Sequence, residues 1–394
     1  MAGNEDRVKL LVPVMLGSAF FLGIELGGFN LALLPVARSF GLNAAVMGFL
    51  VTLQYVTVTL APMVFGWVAD RIGKKPMFLI FMPVFTAGCF LTAAAESVFV
   101  FVAGILILGA GYSVCESVGS STLSDSFPGR ENVYMNLMQC AFSLGAVTSP
   151  LFFRWFLDKF GFSWPLIFIV PGCGFVLLYP LMLFAGCRKA GDPGTGGRPG
   201  EAKTKGLKPL LPILGSPFFL ALLFSMLAYV AIETGTSYFI DSLLVMEYQN
   251  TVLGAWAISG FWFAMTVSRF FFASIKMRPR LMILLGYAAS AAVLLLLFLV
   301  KNQWIFLGAV IVQGFMMGPV WPMVLSTGMS AFQEKSGALG GILYAGGGFG
   351  GMVTPVLFGV IAEACGFYAG FLLLAFIAAA GFIVMKIWGE KKTA

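Results

Sequence analysis

Residues Gly66–Pro76 read GWVADRIGKKP and join two long apolar runs of the chain. Gly66 would let two helices approach closely, and Gly73 would allow the chain to turn. Asp70 follows the first apolar run, where its carboxylate could pair with an arginine or accept hydrogen bonds from a helix N-terminus. The stretch therefore indicates a charged latch that can break and re-form. The residues assigned to this latch are Gly66, Asp70, Arg71, Gly73 and Lys74.

The composition is that of an integral membrane protein. Of the 394 residues, 59% are hydrophobic and 10% are charged, whereas soluble domains carry roughly 25% charged residues. The apolar stretches extend over about 20 residues or more, which favours membrane-spanning helices over the alternating strands of a barrel. We therefore predict an all-α integral membrane fold.

Several catalytic classes are excluded by residue content. The chain has no histidine, which excludes Ser-His-Asp and Cys-His catalysis and any histidine metal site. The six cysteines lie mostly inside apolar runs without a C-x-x-C spacing, so we interpret them as small packing residues. No nucleophile–base pair, metal cluster or ATP-binding motif is apparent. We expect that the protein is not an enzyme and has no catalytic residue, metal or cofactor. Any transport across the membrane would therefore have to be driven by an ion gradient.

Twelve apolar spans and one long polar interval organise the chain. The interval 188–212 is rich in Gly, Pro and Lys, which indicates a flexible linker. It separates an N-terminal half of six spans, 1–187, from a C-terminal half of six spans, 213–394. The predicted spans are roughly 10–36, 45–69, 76–95, 98–124, 132–157, 164–187, 213–241, 251–274, 281–300, 304–329, 336–362 and 367–388.

The basic residues predict the orientation of the chain. Placing both termini in the cytoplasm puts most Lys and Arg residues on the inside, as the positive-inside rule requires. The net charge of +7 is therefore interpreted as a topology signal, and no nucleic-acid partner is expected. The N-terminus lacks an A-x-A cleavage site and is expected to be a retained first helix. We predict a multi-pass protein of the plasma membrane, the bacterial inner membrane.

An internal repeat relates the two halves. LGAVTSPLFF at Leu144–Phe153 is similar to GGMVTPVLF at Gly350–Phe358. The spacing that aligns Pro150 with Pro355 serves the fourth and fifth spans and the tenth and eleventh without a gap. This indicates parallel duplication of a six-helix unit, which is typical of transporters with a site between the halves. In the same alignment, Trp321 of the second half is equivalent to Glu116 of the first.

Three acids lie deep in apolar spans. Glu25, Glu116 and Glu233 fall in the first, fourth and seventh spans. If each half consists of two three-helix units, these spans occupy equivalent positions and would line one central cavity. Asp241 is expected near the outer end of the seventh span. Because a charged carboxylate at bilayer depth is costly, such acids usually have a role. We predict that Glu25 and Glu116 couple transport to protons; the alternative is a protonated acid that only joins two helices.

Amide and aromatic side chains at depth are the candidate cargo contacts. An amide both donates and accepts hydrogen bonds, which suits a polyhydroxy ligand, although many such residues only join helices. Tyr112 and Ser120 flank Glu116 at four-residue spacing, and Trp321 could stack on a sugar face. The predicted cargo-binding residues are Asn30, Gln54, Tyr112, Asn136, Gln139, Glu233, Gln313 and Trp321.

The latch string resembles the loop motif of the major facilitator superfamily, G-x-x-x-D-R-x-G-[KR]-[KR], at every fixed position. The resemblance extends over the twelve spans, the two halves and the basic linker. Within that superfamily the chain is most similar to the fucose–proton symporter family. That likeness rests on Glu25, on Glu116 after a Gly-x-Gly, and on the Asn136–Gln139 spacing. Arg269 matches a Gly-Arg position of that family, with Ser268 in place of the glycine, and is assigned to gating. The family's Asn-Pro after the fourth-span Glu is absent.

The resemblance implies a secondary transporter that works by alternating access. We expect proton-coupled symport of a neutral polar small molecule such as a sugar, by a monomer in the lipid bilayer. One alternative is an exporter that exchanges protons for a cationic or amphipathic compound or lipid. Another is a receptor or scaffold with a transporter fold and no transport.

Overall fold

A computed structural model describes residues 2–127, 130–161, 163–186, 211–273, 275, 277–332 and 336–390. Every regular element in these ranges is a helix. The helices are α1 (Ala2–Phe40), α2 (Ala44–Ile72), α3 (Lys74–Ala93), α4 (Val98–Ser126), α5 (Glu131–Phe160), α6 (Leu166–Phe184), α7 (Leu211–Leu214), α8 (Pro217–Tyr248), α9 (Thr251–Ala273), α10 (Pro279–Leu299), α11 (Gln303–Met317), α12 (Val320–Ala331), α13 (Ser336–Cys365) and α14 (Phe367–Trp388).

Twelve membrane spans are present in the described part of the chain, which confirms the predicted all-α fold. Eleven spans consist of one long helix each, and the span Gln303–Ala331 contains α11 and α12 in succession. The largest difference from prediction is in the seventh span. It was expected to end near Asp241, but α8 continues to Tyr248 and Asp241 is buried. Asp241 and Ser242 continue the helix with side chains that are enclosed by protein, and the exposed Glu247 lies in its last turn.

Helix ends follow the local sequence. Ser216 caps α8 by accepting a hydrogen bond from the backbone nitrogen of Phe219 at 3.3 Å, and Asn302 caps α11 in the same manner. Gly161 and Gly366 end α5 and α13 with positive φ angles of 63° and 86°, a conformation that glycine adopts without strain. Ser216 and Asn302 therefore mark where α8 and α11 begin, and Gly161 and Gly366 mark where α5 and α13 end.

Two compact units divide the helices. The first contains α1, α3 to α6 and α2 from Leu53 onward. The second contains Asn43–Thr52 and the helices from α7 onward. Within this second unit, the backbone nitrogen of Ala44 donates to Glu363 Oε2 on α13 at 2.9 Å. The sequence-based halves, 1–187 and 213–394, stay a prediction, and most of the linker 188–212 lies outside the described residues.

The helix bounds confirm the internal repeat. At the spacing that relates Pro150 to Pro355, the ends of α5 coincide with those of α13. The ends of α4 coincide with those of the span Gln303–Ala331. The helices of the matched segments differ in one respect, which is that the tenth span is broken between Met317 and Val320.

Helices α1 and α5 approach each other closely in the first unit. A Cβ atom built on Gly23 would lie 1.9 Å from the carbonyl oxygen of Phe142, and one built on Gly145 would lie 2.1 Å from that of Phe20. Two glycines therefore face each other across the crossing and let the backbones touch. Small residues at such crossings are the usual basis of close helix packing in membranes.

Replacing Gly23 by alanine is expected to lower the free energy of unfolding by about 1–3 kcal/mol, because the new methyl group must push two backbones apart. The matched control is Gly308→Ala, since nothing lies within 4 Å of a Cβ built at Gly308 and alanine favours a helix by about 1 kcal/mol over glycine. Thermal unfolding of purified protein in detergent measures both. Equal midpoints for the two variants would contradict the close packing of α1 on α5.

Candidate functional site

Glu25 on α1 is enclosed within the first unit. Its side chain is 0% exposed, and its Oε1 accepts a hydrogen bond from Gln54 Nε2 on α2 at 3.1 Å. Among the described residues, its Oε2 has no hydrogen-bond partner. The structure therefore joins two of the predicted site residues, an acid and an amide, in the interior of the first unit.

Glu116 on α4 lines a narrow recess of the first unit. The space between its atoms is about 200 Å³ when space open to solvent is included, and none of it is wide enough to enclose a water molecule. Gln139 and Met138 of α5 lie on its wall together with Ser120, which is one helical turn from Glu116. The Ser120 hydroxyl is 3.7 Å from the sulfur of Met138. The recess brings the predicted pair Glu116 and Gln139 together; its remaining lining residues are Ala19, Leu22 and Phe142.

Three other predicted cargo contacts of the first unit have different environments. Asn30 is buried on α1, and neither polar atom of its side chain has a partner in the described part of the structure. Tyr112 is also buried. Asn136 is exposed. Asn30 and Tyr112 thus lie inside the unit, while Asn136 and the recess residue Gln139 are accessible from its surface.

Glu233 belongs to a chain of polar groups in the second unit. The hydroxyl of Tyr229, one turn earlier on α8, donates to Glu233 Oε1 at 3.0 Å. Arg269 Nη2 on α9 donates to the same hydroxyl at 3.3 Å. The guanidinium of Arg269 and the carboxylate of Glu233 are therefore linked by hydrogen bonds through the hydroxyl of Tyr229. Arg269, which the sequence assigns to gating, is placed here beside a predicted cargo contact.

Aromatic rings lie next to this chain. The ring of Trp321 on α12 is 5.6 Å from that of Tyr229 and 4.8 Å from that of Tyr344 on α13. Trp321 is partly exposed and Tyr344 is exposed. Trp321 and Glu233, both predicted cargo contacts, therefore adjoin the same tyrosine, Tyr229.

Deeper polar groups of the second unit pair with each other. Gln313 is fully buried on α11, and its Nε2 donates to the hydroxyl of Thr236 at 2.9 Å. Asp241 was expected near the outer end of the seventh span, but it is 1% exposed and α8 continues beyond it to Tyr248. Its Oδ1 would be 2.0 Å from a Cβ atom built on Gly254 of α9. These contacts join α8 to α9 and α11, two of the helices that pack against it.

The latch residues lie at the turn between α2 and α3. Gly73 has a φ angle of 97° and precedes α3, as a turn residue should. Lys74 pairs with the carboxylate of Asp125 at the end of α4. Arg71 is exposed. Gly66 was expected to let two helices approach closely, but this is wrong for the described residues, because none of their atoms on another helix lies within 4 Å of a Cβ built on it. The side chain of Asp70 lies outside the described residues.

Sequence reasoning missed several participants in these sites. Asp125 was not assigned a role, although an acid at the end of the fourth span could have suggested a partner for the basic turn. Tyr344 has no polar neighbour in sequence that would single it out. The link from Arg269 to Tyr229 crosses between two helices, and no spacing within one helix can reveal it.

A family model described as the Major Facilitator Superfamily matches residues 15–275 and 244–394. The chain belongs to the Major Facilitator Superfamily. It is therefore a multi-pass membrane transporter, as the latch motif and the twelve spans predicted. The narrower likeness to fucose–proton symporters is not established by this match.

Relatives within the superfamily differ in what they are named for. The chain is 24% identical over 166 residues to the riboflavin transporter RibZ of Clostridioides difficile (strain 630), covering 42% of this chain and 36% of RibZ. It is 26% identical over 357 residues to the mouse (Mus musculus) MFS-type transporter SLC18B1, covering 78% of this chain and 70% of that protein. A crystal structure of a D-xylose-proton symporter has a TM-score of 0.77 at 11% identity, covering 98% of this chain and 100% of that one. The structural likeness shows the fold alone.

Proposed function

We propose that this transporter is a proton-coupled symporter that imports a neutral, hydroxyl-rich small molecule such as a sugar. The observation that carries the proposal is the environment of Glu25, an acid that is buried without a counter-charge. Glu25 would bind the coupled proton, and the recess at Glu116 would contact the cargo. The resemblance of the first and fourth spans to fucose–proton symporters supports the same assignment.

The proton-binding role of Glu25 follows from the cost of burying charge. No ion pair among the described residues includes Glu25, and its single hydrogen bond is with the neutral amide of Gln54. An unpaired carboxylate in such a place costs several kcal/mol, whereas the protonated acid does not carry this cost. The group is therefore stable when it holds a proton, and it becomes charged only when water or a conformational change reaches it.

The cargo assignment follows from the walls of the recess. Glu116, Ser120 and Gln139 offer hydrogen-bond donors and acceptors, and Phe142 and Met138 offer apolar surface. Sugars present hydroxyl groups on their edges and C–H groups on their faces, so a wall of this mixed kind is suited to them. Because no cationic side chain in the described part of the chain lines the recess, a neutral cargo fits better than an anionic one.

We further propose the cellular setting that the charge distribution predicts. The protein would work as a monomer in the bacterial inner membrane, with both termini in the cytoplasm. Its energy would come from the proton gradient, without a cofactor or metal. The proton and the cargo would then move in the same direction, into the cell.

Proton flux measured in proteoliposomes tests the proposal. Purified protein is reconstituted with a pH-sensitive dye in the lumen, and a panel of neutral sugars is added outside in the absence of any imposed gradient. A cargo sugar is expected to acidify the lumen, whereas protein-free vesicles should show no change. If no sugar in the panel acidifies the lumen, the proposed cargo class is wrong.

A second candidate function is export of an organic cation in exchange for protons. It is favoured by the aromatic rings of Trp321 and Tyr344, because Trp321 packs on Tyr229, the hydrogen-bond partner of Glu233. Aromatic faces and carboxylates together bind organic cations. The same vesicles distinguish the two functions. An exchanger makes the lumen alkaline when an organic ammonium compound enters, because protons leave as the cation is taken up.

A further inference from the structure

The tenth span is interrupted near its middle. Helix α11 ends at Met317 and α12 begins at Val320, with Gly318 and Pro319 between them. The matched fourth span is one unbroken helix, Val98–Ser126. The two spans otherwise begin and end at equivalent residues, so the interruption is specific to the second copy of the repeat.

The interruption leaves a backbone acceptor without its helical donor. Gly318 and Pro319 both have right-handed helical backbone angles, φ −50°, ψ −47° and φ −78°, ψ −13°. In a continuous helix the carbonyl of Gly318 would accept from the nitrogen of residue 322. That residue is Pro322, which has no N–H. Neighbouring hydrogen bonds persist, since Gly318 N donates to Gly314 O at 3.0 Å.

Arg269 supplies the missing hydrogen bond. Its Nε donates to the carbonyl oxygen of Gly318 at 3.2 Å. The approach is possible because Gly318 lies directly against α9, where a Cβ atom built on it would be 2.6 Å from the carbonyl oxygen of Met265. A proline-broken membrane helix generally needs such a donor from a neighbouring helix.

The same guanidinium group also fixes what packs against the break. While Nε binds Gly318, Nη2 donates to the hydroxyl of Tyr229. Trp321 follows the break by three residues, and its ring packs on that tyrosine. One side chain therefore sets the path of the span and the position of the tyrosine that the tryptophan contacts.

We propose that Arg269 is a positioning residue that holds the interrupted tenth span in place by hydrogen-bonding the Gly318 carbonyl in place of the absent Pro322 N–H. It thereby keeps Trp321 against Tyr229, the tyrosine that hydrogen-bonds Glu233. This inference concerns the second unit and does not depend on the cargo.

The test separates the hydrogen bond from the charge of Arg269. All variants carry Glu233→Gln, so that a neutral residue at 269 leaves no unpaired charge. Arg269→Gln keeps an N–H at the position of Nε, whereas Arg269→Met has the same length and no donor. Pro322→Ala restores a backbone N–H that can reach Gly318. Pro319→Ala is the matched control, because the N–H it restores would reach Phe315 instead.

Amide hydrogen exchange of the peptide covering Val320–Ser326, measured on the full chain by mass spectrometry, is the readout. Exchange in E233Q/R269M is expected to be roughly fivefold faster than in E233Q/R269Q, the factor for one lost hydrogen bond. Adding Pro322→Ala should return it to the slower rate, and adding Pro319→Ala should not. The proposal is overturned if the Gln and Met variants exchange alike, or if Pro322→Ala and Pro319→Ala act alike.

A folding defect provides the same decision. If E233Q/R269M does not yield folded protein, the yields of its Pro322→Ala and Pro319→Ala derivatives are compared by size-exclusion chromatography. Recovery with Pro322→Ala alone supports the proposal, and recovery with neither or with both overturns it. Failure of sugar-driven proton flux in the vesicle experiment leaves these outcomes unchanged, so the two proposals fail separately.

Discussion

Glu25→Gln is expected to abolish sugar accumulation driven by a proton gradient, to the level of protein-free vesicles. The substituted amide can still accept the hydrogen bond from Gln54 Nε2 through its carbonyl oxygen, so the contact between α1 and α2 is kept. What is lost is the ability to bind and release a proton. Exchange of labelled for unlabelled cargo across the membrane, which needs no net proton movement, should continue.

Glu96→Gln is the matched control, because it makes the same chemical change at an exposed acid between α3 and α4. It should leave both accumulation and exchange unchanged. Retained accumulation in Glu25→Gln would show that Glu25 only joins α1 to α2. Loss of both activities together with an unchanged unfolding midpoint would place Glu25 in cargo binding instead of proton coupling.

The sequence predicted the fold well because its signals are local and repeated. Each span is a run of apolar residues, and the spacing between Pro150 and Pro355 recurs at the helix ends of the folded chain. The exception is Asp241, which was predicted near the outer end of the seventh span because a charged residue often marks the end of an apolar run. In the structure, packing against Gly254 encloses it, and α8 extends further.

The candidate site was predicted only where its contacts lie along one helix. Tyr229 and Glu233 are four residues apart, so their hydrogen bond can be read from spacing. Partners on different helices, such as Gln54 for Glu25 and Arg269 for Tyr229, depend on which helices are neighbours and how they are rotated. The interruption of the tenth span was also missed, because prolines are tolerated inside membrane helices and do not by themselves indicate a break.

Glu233→Gln is expected to destabilise the protein more than Arg269→Gln does. In the first variant the guanidinium of Arg269 stays charged, since it cannot lose its proton in a protein. It keeps three neutral acceptors, which are the hydroxyl of Tyr229, the carbonyl of Gly318 and the sulfur of Met265. We expect a loss of about 1 kcal/mol in the free energy of unfolding, the upper end of the range for partly exposed charge pairs. Glu233 and Arg269 interact through the hydroxyl of Tyr229, and both side chains are only partly buried.

Arg269→Gln should cost less, because the carboxyl of Glu233 can bind a proton and become neutral. The double variant E233Q/R269Q should recover most of the stability lost in Glu233→Gln, since it holds two neutral amides and leaves no charge unpaired. Glu247→Gln, which changes an exposed acid near the end of the same helix, is the control for helix α8. Thermal unfolding in detergent ranks the four proteins. Additive losses in the double variant would mean that Glu233 and Arg269 do not balance each other's charge, since independent sites add and coupled sites do not.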